Sequence, residues 1–243
     1  LVTRFWDNGL EISHTLRDLS DIQKYMLSDL HTFTQFFETR YLLGSEKIYK
    51  LWNEELIKTL KEDTKADLIN RLIDDSEERY KKYGNSPKML EPNVKYSAGG
   101  LRDLQIVEWM YIFSRKELFN KQQEATQIET FLNILKENKI SSVDECNRVL
   151  SSYKLILSVR NLMHLESNQK NDRFEFSEQI RIAKIFGFEE DALIDFMRIY
   201  FNAAVILNRF SKSIIKKFYD DTFISLPDSL AINLDDDFEM KGR

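Results

Sequence analysis

Gly99 and Gly100 are adjacent in a chain that holds only 7 glycines among 243 residues. Lys95 and Arg102 flank them within the run Asn93-Val94-Lys95-Tyr96-Ser97-Ala98-Gly99-Gly100-Leu101-Arg102-Asp103-Leu104-Gln105. Paired glycines let a backbone take positive φ and come close to a ligand or to another segment, and the amides that open a following helix carry partial positive charge. A lysine and an arginine on either side of such a turn reach an anionic group from two directions. The chemistry implied is the holding of a phosphate or of an acidic substrate. A plainer reading of the same residues is a tight turn with Asp103 as the N-cap of the next helix.

The elements around this run are helical by pattern. Only 3 prolines accompany the 7 glycines, against average usage of roughly 5% and 7%, so breakers are scarce. At 243 residues the chain is long enough for one large domain or two small ones. The formal net charge of −5 is spread with both signs mixed, which argues against long nucleic acid or a membrane surface as partner. Cys146 is the one cysteine; it excludes an internal disulfide and a multi-cysteine metal site, and it falls on an apolar stripe as a packing residue. No stretch of about 18 apolar residues occurs and Leu1 to Asp7 lack a signal peptide's apolar run, so a cytoplasmic protein is expected. The chain opens without Met on an apolar aromatic segment, and a fragment is expected.

Residues 9–17 alternate, with Leu10, Ile12, His14 and Leu16 on one side, the period of a half-buried strand. Its sheet partner must come from outside the chain or from the stretch Ala231 to Leu234. From residue 19 the period becomes helical, with a break near Ser28-Asp29, Asp29 capping a helix from Thr32 to Leu43, and Gly44 ending it. Further helices are predicted over 46–61, 65–83 with Thr64 as cap and Gly84 as close, 103–117, 124–138, 142–168, 177–186 and 189–219. Ser142 and Glu145 form a capping-box pattern. Trp6, Trp52 and Trp109 read as core. The acidic run Asp235 to Asp237 reads as a solvated linker or edge. The fold expected is mainly α, a helical bundle with one remnant strand.

Several segments together resemble the PII-protein uridylyltransferases and, more distantly, the glutamine synthetase adenylyltransferases. Phe5-Trp6-Asp7-Asn8-Gly9-Leu10 with Ser13-His14-Thr15-Leu16-Arg17 is similar to a family segment in which Leu-Trp-Asp precedes Gly-Leu and a Gly-His-Ser-Val-Arg strand, with Phe5 and Ser13 as departures. Asp29-Leu30-His31-Thr32 through Thr39-Arg40-Tyr41-Leu42-Leu43-Gly44 resembles the family's Asp-Leu-Thr helix that ends in Glu-Ala-Arg-Leu-Leu-Ala-Gly. The Asn93-Val94-Lys95…Gly99-Gly100-Leu101-Arg102-Asp103-Leu104-Gln105 run looks like the Asn-Ile-Lys…Gly-Gly-Leu-Arg-Asp-Ile-Gln signature. Val159-Arg160…His164 and Asp172-Arg173-Phe174-Glu175-Phe176…Gln179 resemble the later Val-Arg…Leu-His and Asp-Arg-Leu…Phe…Gln pieces. The matches keep the family's order.

The resemblance implies an enzyme of nitrogen regulation that moves UMP from UTP to a PII-type protein, with Mg²⁺ held by two aspartates that follow a Gly-Ser turn. That signature is not in this chain, so no catalytic or metal-binding residue is assigned to it and the chain alone is expected to be inactive. The family's metal-dependent HD domain and glutamine-sensing domains are likewise not expected within it. The implied division is residues 1–43 as the end of a nucleotidyltransferase domain, 44–220 as a helical substrate-binding domain and 221–243 as a linker. Arg17 would face the nucleotide, with His14 beside it on the same strand. Lys95 and Arg102 would contact phosphate or acidic substrate, Gly99 and Gly100 would allow backbone approach, and Asp103 would fix the helix start. Alternatively Arg102 and Asp103 join two domains through buried ion pairs. Arg160 and His164, four apart on one helix face, would meet a nucleotide or an acidic neighbour. Two rival functions remain at this stage: a non-catalytic module that docks the regulatory protein, and an adenylyltransferase acting on glutamine synthetase. Ser13 stands near the position of that branch's third acidic residue.

Overall fold

A computed structural model of the chain describes residues 2–10, 12–114, 128–167, 171–223, 232–233 and 239–240. The chain forms two compact units, Leu1–Lys61 and Glu62–Arg243. The first extends beyond the division expected at residue 43.

In the first unit, α1 (Val2–Asp7), α2 (Leu19–Ser28), α3 (Leu30–Phe37) and α4 (Glu46–Thr59) follow one another. Asp18 and Asp21 form a capping box at the start of α2, and Asp29 accepts from the Thr32 amide at 3.1 Å to start α3. The core is aromatic: Phe33, Phe36 and Phe37 are buried, and Phe36 meets Tyr25 of α2 and Trp52 of α4 edge-on at 5.9 and 5.1 Å. The helix expected to reach Leu43 stops at Phe37, where Thr39 turns its hydroxyl back onto the Phe36 carbonyl at 2.8 Å.

The strand expected over residues 9–17 does not form among the described residues. Residues 12–18 carry no strand, and Leu16 is 97% exposed. Alternation specifies a strand only when a ladder partner takes up its backbone groups, and among the described residues none does. Trp6 also departs from the core assignment. It is 51% exposed, because α1 is six residues long and buries none of them.

The second unit is a bundle of α5 (Glu62–Tyr83), α6 (Leu101–Ser114), α7 (Ile128–Glu137), α8 (Val143–Ser167), α9 (Phe176–Ile185) and α10 (Leu193–Phe223), with a 3₁₀ turn at Glu190–Ala192. The helix of α6 is buried on nearly every side from Leu104 to Phe113, as an apolar, unstriped helix must be. It packs against α5 and α10, and α10 packs in turn against α8. Cys146, Val149, Ile156 and Val159 of α8 are buried. Thr64 lies inside α5 rather than at its cap, since the helix begins at Glu62. Gly84 closes α5 at φ +106, its amide on the Tyr80 carbonyl at 2.9 Å. Ser142 caps α8 through the Glu145 amide at 3.2 Å, while the Glu145 carboxylate takes the Ser141 hydroxyl. Ile232–Asn233 and Glu239–Met240 pair as a short antiparallel ribbon. The acidic run 235–237 lies outside the described residues.

Candidate functional site

The loop from Asn93 to Gly100 joins α5 to α6, and its shape is fixed from several sides. The Asn93 side chain accepts the amides of Lys95 and Tyr96 at 3.1 and 2.7 Å, an Asx turn. Ser97 takes the Asn93 amide and donates its hydroxyl to the Tyr83 carbonyl at 2.9 Å. Gly99 has φ +81, and a β-carbon there would lie 2.3 Å from the carbonyl oxygen of Ala204 on α10. At Gly100 a β-carbon would lie 2.8 Å from the Lys95 carbonyl oxygen. The close approach that these glycines permit is that of the chain to itself.

The mouth of α6 differs from the expectation in the same way. The amides of Gly100, Leu101 and Arg102 donate to the carbonyls of Ser97, Val94 and Lys95 at 2.8 to 3.1 Å. These groups are spent within the loop and do not form an open anion cradle. Asp103, expected as the N-cap, lies in the first turn of α6. Its carboxylate is fully buried and accepts the Gly99 amide at 2.7 Å, Arg79 at 2.7 Å and Asn208 of α10 at 3.2 Å. The buried ion pair foreseen at this position therefore forms inside the second unit, with Arg79 of α5 as partner.

With the amides occupied, the side chains of Lys95 and Arg102 are what the loop offers. Lys95 Nζ lies 4.8 Å from the centre of the Tyr96 ring, and the Arg102 guanidinium lies 5.6 Å from that ring and 5.0 Å from the ring of Trp109. Tyr96 stacks on Tyr83 at 4.9 Å. Partial burial works to raise the Tyr96 phenol, but hydrogen bonds and charge from Lys95, then from Arg102, outweigh it and hold the group below its ordinary value of 10.0. Neither cation has a carboxylate partner among the described residues.

Arg160 and His164 of α8 meet an acidic neighbour. Both contact Asp172, Arg160 through Nε at 2.7 Å and His164 through Nε2 at 2.9 Å. Asp172 sits on a short extended piece whose carbonyl accepts the Val94 amide at 2.8 Å, while Phe174 donates to Pro92 at 2.8 Å and Asn93 bridges Arg173. Glu91 adds an ion pair to Arg173 at 2.7 Å, and Gln179 reaches the carbonyls of Leu90 and Phe174 at 2.6 and 2.8 Å. The two later segments singled out in the sequence, that of Arg160 and His164 and that of Asp172 to Gln179, thus converge on the loop.

In the first unit Arg17 donates to the Tyr25 hydroxyl at 2.7 Å and lies over its ring at 4.4 Å. It borders an open groove of about 590 Å³ with Arg40, Gln35, Tyr41 and Trp52. His14 is exposed and meets Trp6 edge-on at 5.5 Å.

Sequence reasoning missed Arg79, Tyr80 and Asn208. The signal for Arg79 was its place on the apolar stripe Leu68, Leu72, Ser76, Arg79, Tyr83 of α5, since a charge there is buried and needs a partner. Mg²⁺ does not fit this site. Asp103 and Asp172 are both engaged by arginine, and among the described residues no group of three His, Cys, Asp or Glu side chains is placed to hold a metal ion.

Residues 67–215 match the sequence model of a family described as GlnD PII-uridylyltransferase. The chain is 27% identical over 238 residues to a bifunctional uridylyltransferase/uridylyl-removing enzyme of Haemophilus influenzae, covering 97% of this chain and 26% of that protein. Proteins of the same description from Idiomarina loihiensis and Pseudomonas aeruginosa are 25% and 28% identical over 245 and 221 residues, covering all and 89% of this chain. The chain spans about a quarter of the length of these relatives. No solved structure matches it. Among the described residues no helix is long and apolar enough to cross a membrane.

Proposed function

The chain belongs to the GlnD PII-uridylyltransferase family, and from that premise we propose that it is part of a nucleotidyltransferase that moves UMP from UTP to a PII-type regulatory protein. Its role in that enzyme is to hold substrate. The observation that carries this reading is the pair of cations, Lys95 and Arg102, gathered on Tyr96 without a carboxylate partner among the described residues. A guanidinium and an ammonium group held this way are suited to the triphosphate or to an acidic stretch of the acceptor protein. Arg160 and His164 serve indirectly, by fixing Asp172 and with it the backbone that pairs with Val94. By its resemblance the intact enzyme would use Mg²⁺ to neutralise charge at the reacting phosphoryl group, held by carboxylates other than Asp103 and Asp172.

The test is calorimetric binding of UTP to the full-length protein and to its Lys95→Ala and Arg102→Ala variants. Each variant is expected to bind about ten-fold more weakly, the loss of one charge-assisted hydrogen bond. Unchanged affinity in both removes the loop from the nucleotide site.

A further inference from the structure

We propose that Arg79 is a positioning residue, whose guanidinium fork holds the loop so that Lys95, Tyr96 and Arg102 present one substrate-facing cluster. The inference rests on the reading that this cluster contacts substrate, and it adds a group that neither the motifs nor the family match assigns.

Arg79 projects from α5 into the second unit and is 7% exposed. One arm of its fork, Nη1, donates to the Tyr96 carbonyl at 2.7 Å, and the other, Nη2, donates to Asp103 at 2.7 Å. These two acceptors stand at the two ends of the glycine turn. Asp103 in turn takes the Gly99 amide and the Asn208 side chain. One planar group therefore sets the separation between the Tyr96 backbone and the first turn of α6, which carries Arg102. The guanidinium carbon lies 4.5 Å from the centre of the Tyr80 ring, and Asn208 donates to Tyr80 Oη at 3.4 Å, so the group is also packed on one side. Lys95 and Arg102 both act on the Tyr96 phenol, which makes that phenol a reporter of their placement.

A lysine at 79 keeps a positive charge beside Asp103 but lacks the fork that spans both acceptors. The full-length enzyme with Arg79→Lys is expected to remain folded by circular dichroism while its KM for UTP rises about ten-fold and kcat changes little, as remote misplacement of binding groups predicts. Titration of the Tyr96 phenol, read as the absorbance difference between each protein and its Tyr96→Phe counterpart, is expected to move up toward the ordinary tyrosine value. The pair Arg79→Met with Asp103→Asn removes both charges and spares the fold an unpaired buried ion. It is expected to show the same raised KM and the same raised titration. Lys95→Ala and Arg102→Ala serve as the controls for the underlying reading: if both leave the KM for UTP unchanged, the substrate assignment fails, and the phenol titration still judges Arg79. The inference is overturned if Arg79→Lys and the double variant both titrate at Tyr96 as the wild type does. It is equally overturned if activity falls only in proportion to folded protein.

Discussion

The backbone of Gly99 leaves no room for a side chain, because the Ala204 carbonyl oxygen occupies the place a β-carbon would take, at 2.3 Å. The conformation there, φ +81, adds strain for any L residue. Gly99→Ala is therefore expected to cost about 2–4 kcal/mol, the sum of a backbone penalty and overpacking. Gly187 has a comparable φ of +84 but nothing within 4 Å of an added β-carbon, so Gly187→Ala should cost only about 1 kcal/mol. Urea unfolding of the two variants separates the contributions, and equal losses would mean that α10 yields at Ala204. The glycine pair was legible in the sequence as a place of close approach. What approaches was not, since Ala204 lies more than a hundred residues away and nothing local marks it. Lys95 and Arg102 were singled out because they flank the glycine pair, and the rings of Tyr96 and Trp109 on which they lie were not read as their partners. Arg79 was hidden because its acceptors, the Tyr96 carbonyl and Asp103, come together only when α5 folds back on α6.

A helix start was legible where the cap is a local hydrogen bond that a few residues decide, as at Asp29 and Ser142, and misread at Thr64 and Asp103, which lie inside their helices. Asp29 ends one helix and begins the next: its amide donates to the Tyr25 carbonyl at 2.9 Å, and its carboxylate accepts the amide and hydroxyl of Thr32 at 3.1 and 2.6 Å. The Thr32 hydroxyl first, opposed by burial and helped by the Thr32 amide, holds this carboxyl below its ordinary 3.8. The folded state then binds the proton less readily than the unfolded one, so the cap's contribution is complete above that ordinary value and is lost as pH falls through the lower folded value. Asp29→Ala is expected to cost about 1 kcal/mol at neutral pH. Urea midpoints of wild type and variant should draw together as pH falls below the ordinary carboxylate value, and a gap that stays constant through the acid range would assign the loss to something other than the charged cap. Elements that depend on a distant partner were read less well. Residues 12–18 have the alternation of a strand without a ladder, and α3 stops at Phe37 because Thr39 takes back a carbonyl that a longer helix would use.

The two units differ in what stabilises them. Residues 1–61 bury a cluster of aromatic rings around Phe36 and leave Leu10, Leu16, Leu42, Leu43 and Ile48 exposed, whereas residues 62–243 surround α6 and close over a buried Arg79–Asp103 pair. A unit of some sixty residues buries a smaller share of its surface than one three times as long and is the more marginal of the two. Its helical character followed from the scarcity of breakers, but the division at Lys61 did not, because α4 reads as the start of the bundle until Trp52 is seen against Phe36. Tryptophan reports on each unit separately: Trp6 and Trp52 lie in the first, Trp109 in the second. A protein carrying Trp6→Phe and Trp52→Phe follows the second unit alone through Trp109, which is 3% exposed, and a protein carrying Trp109→Phe follows the first. Urea unfolding of the chain is expected to give a lower midpoint for the Trp109→Phe protein, with a shallower slope in keeping with the smaller surface it exposes. Coincident midpoints and slopes would show instead that the units unfold as one cooperative body, and the aromatic cluster around Phe36 would then draw its stability from the rest of the chain.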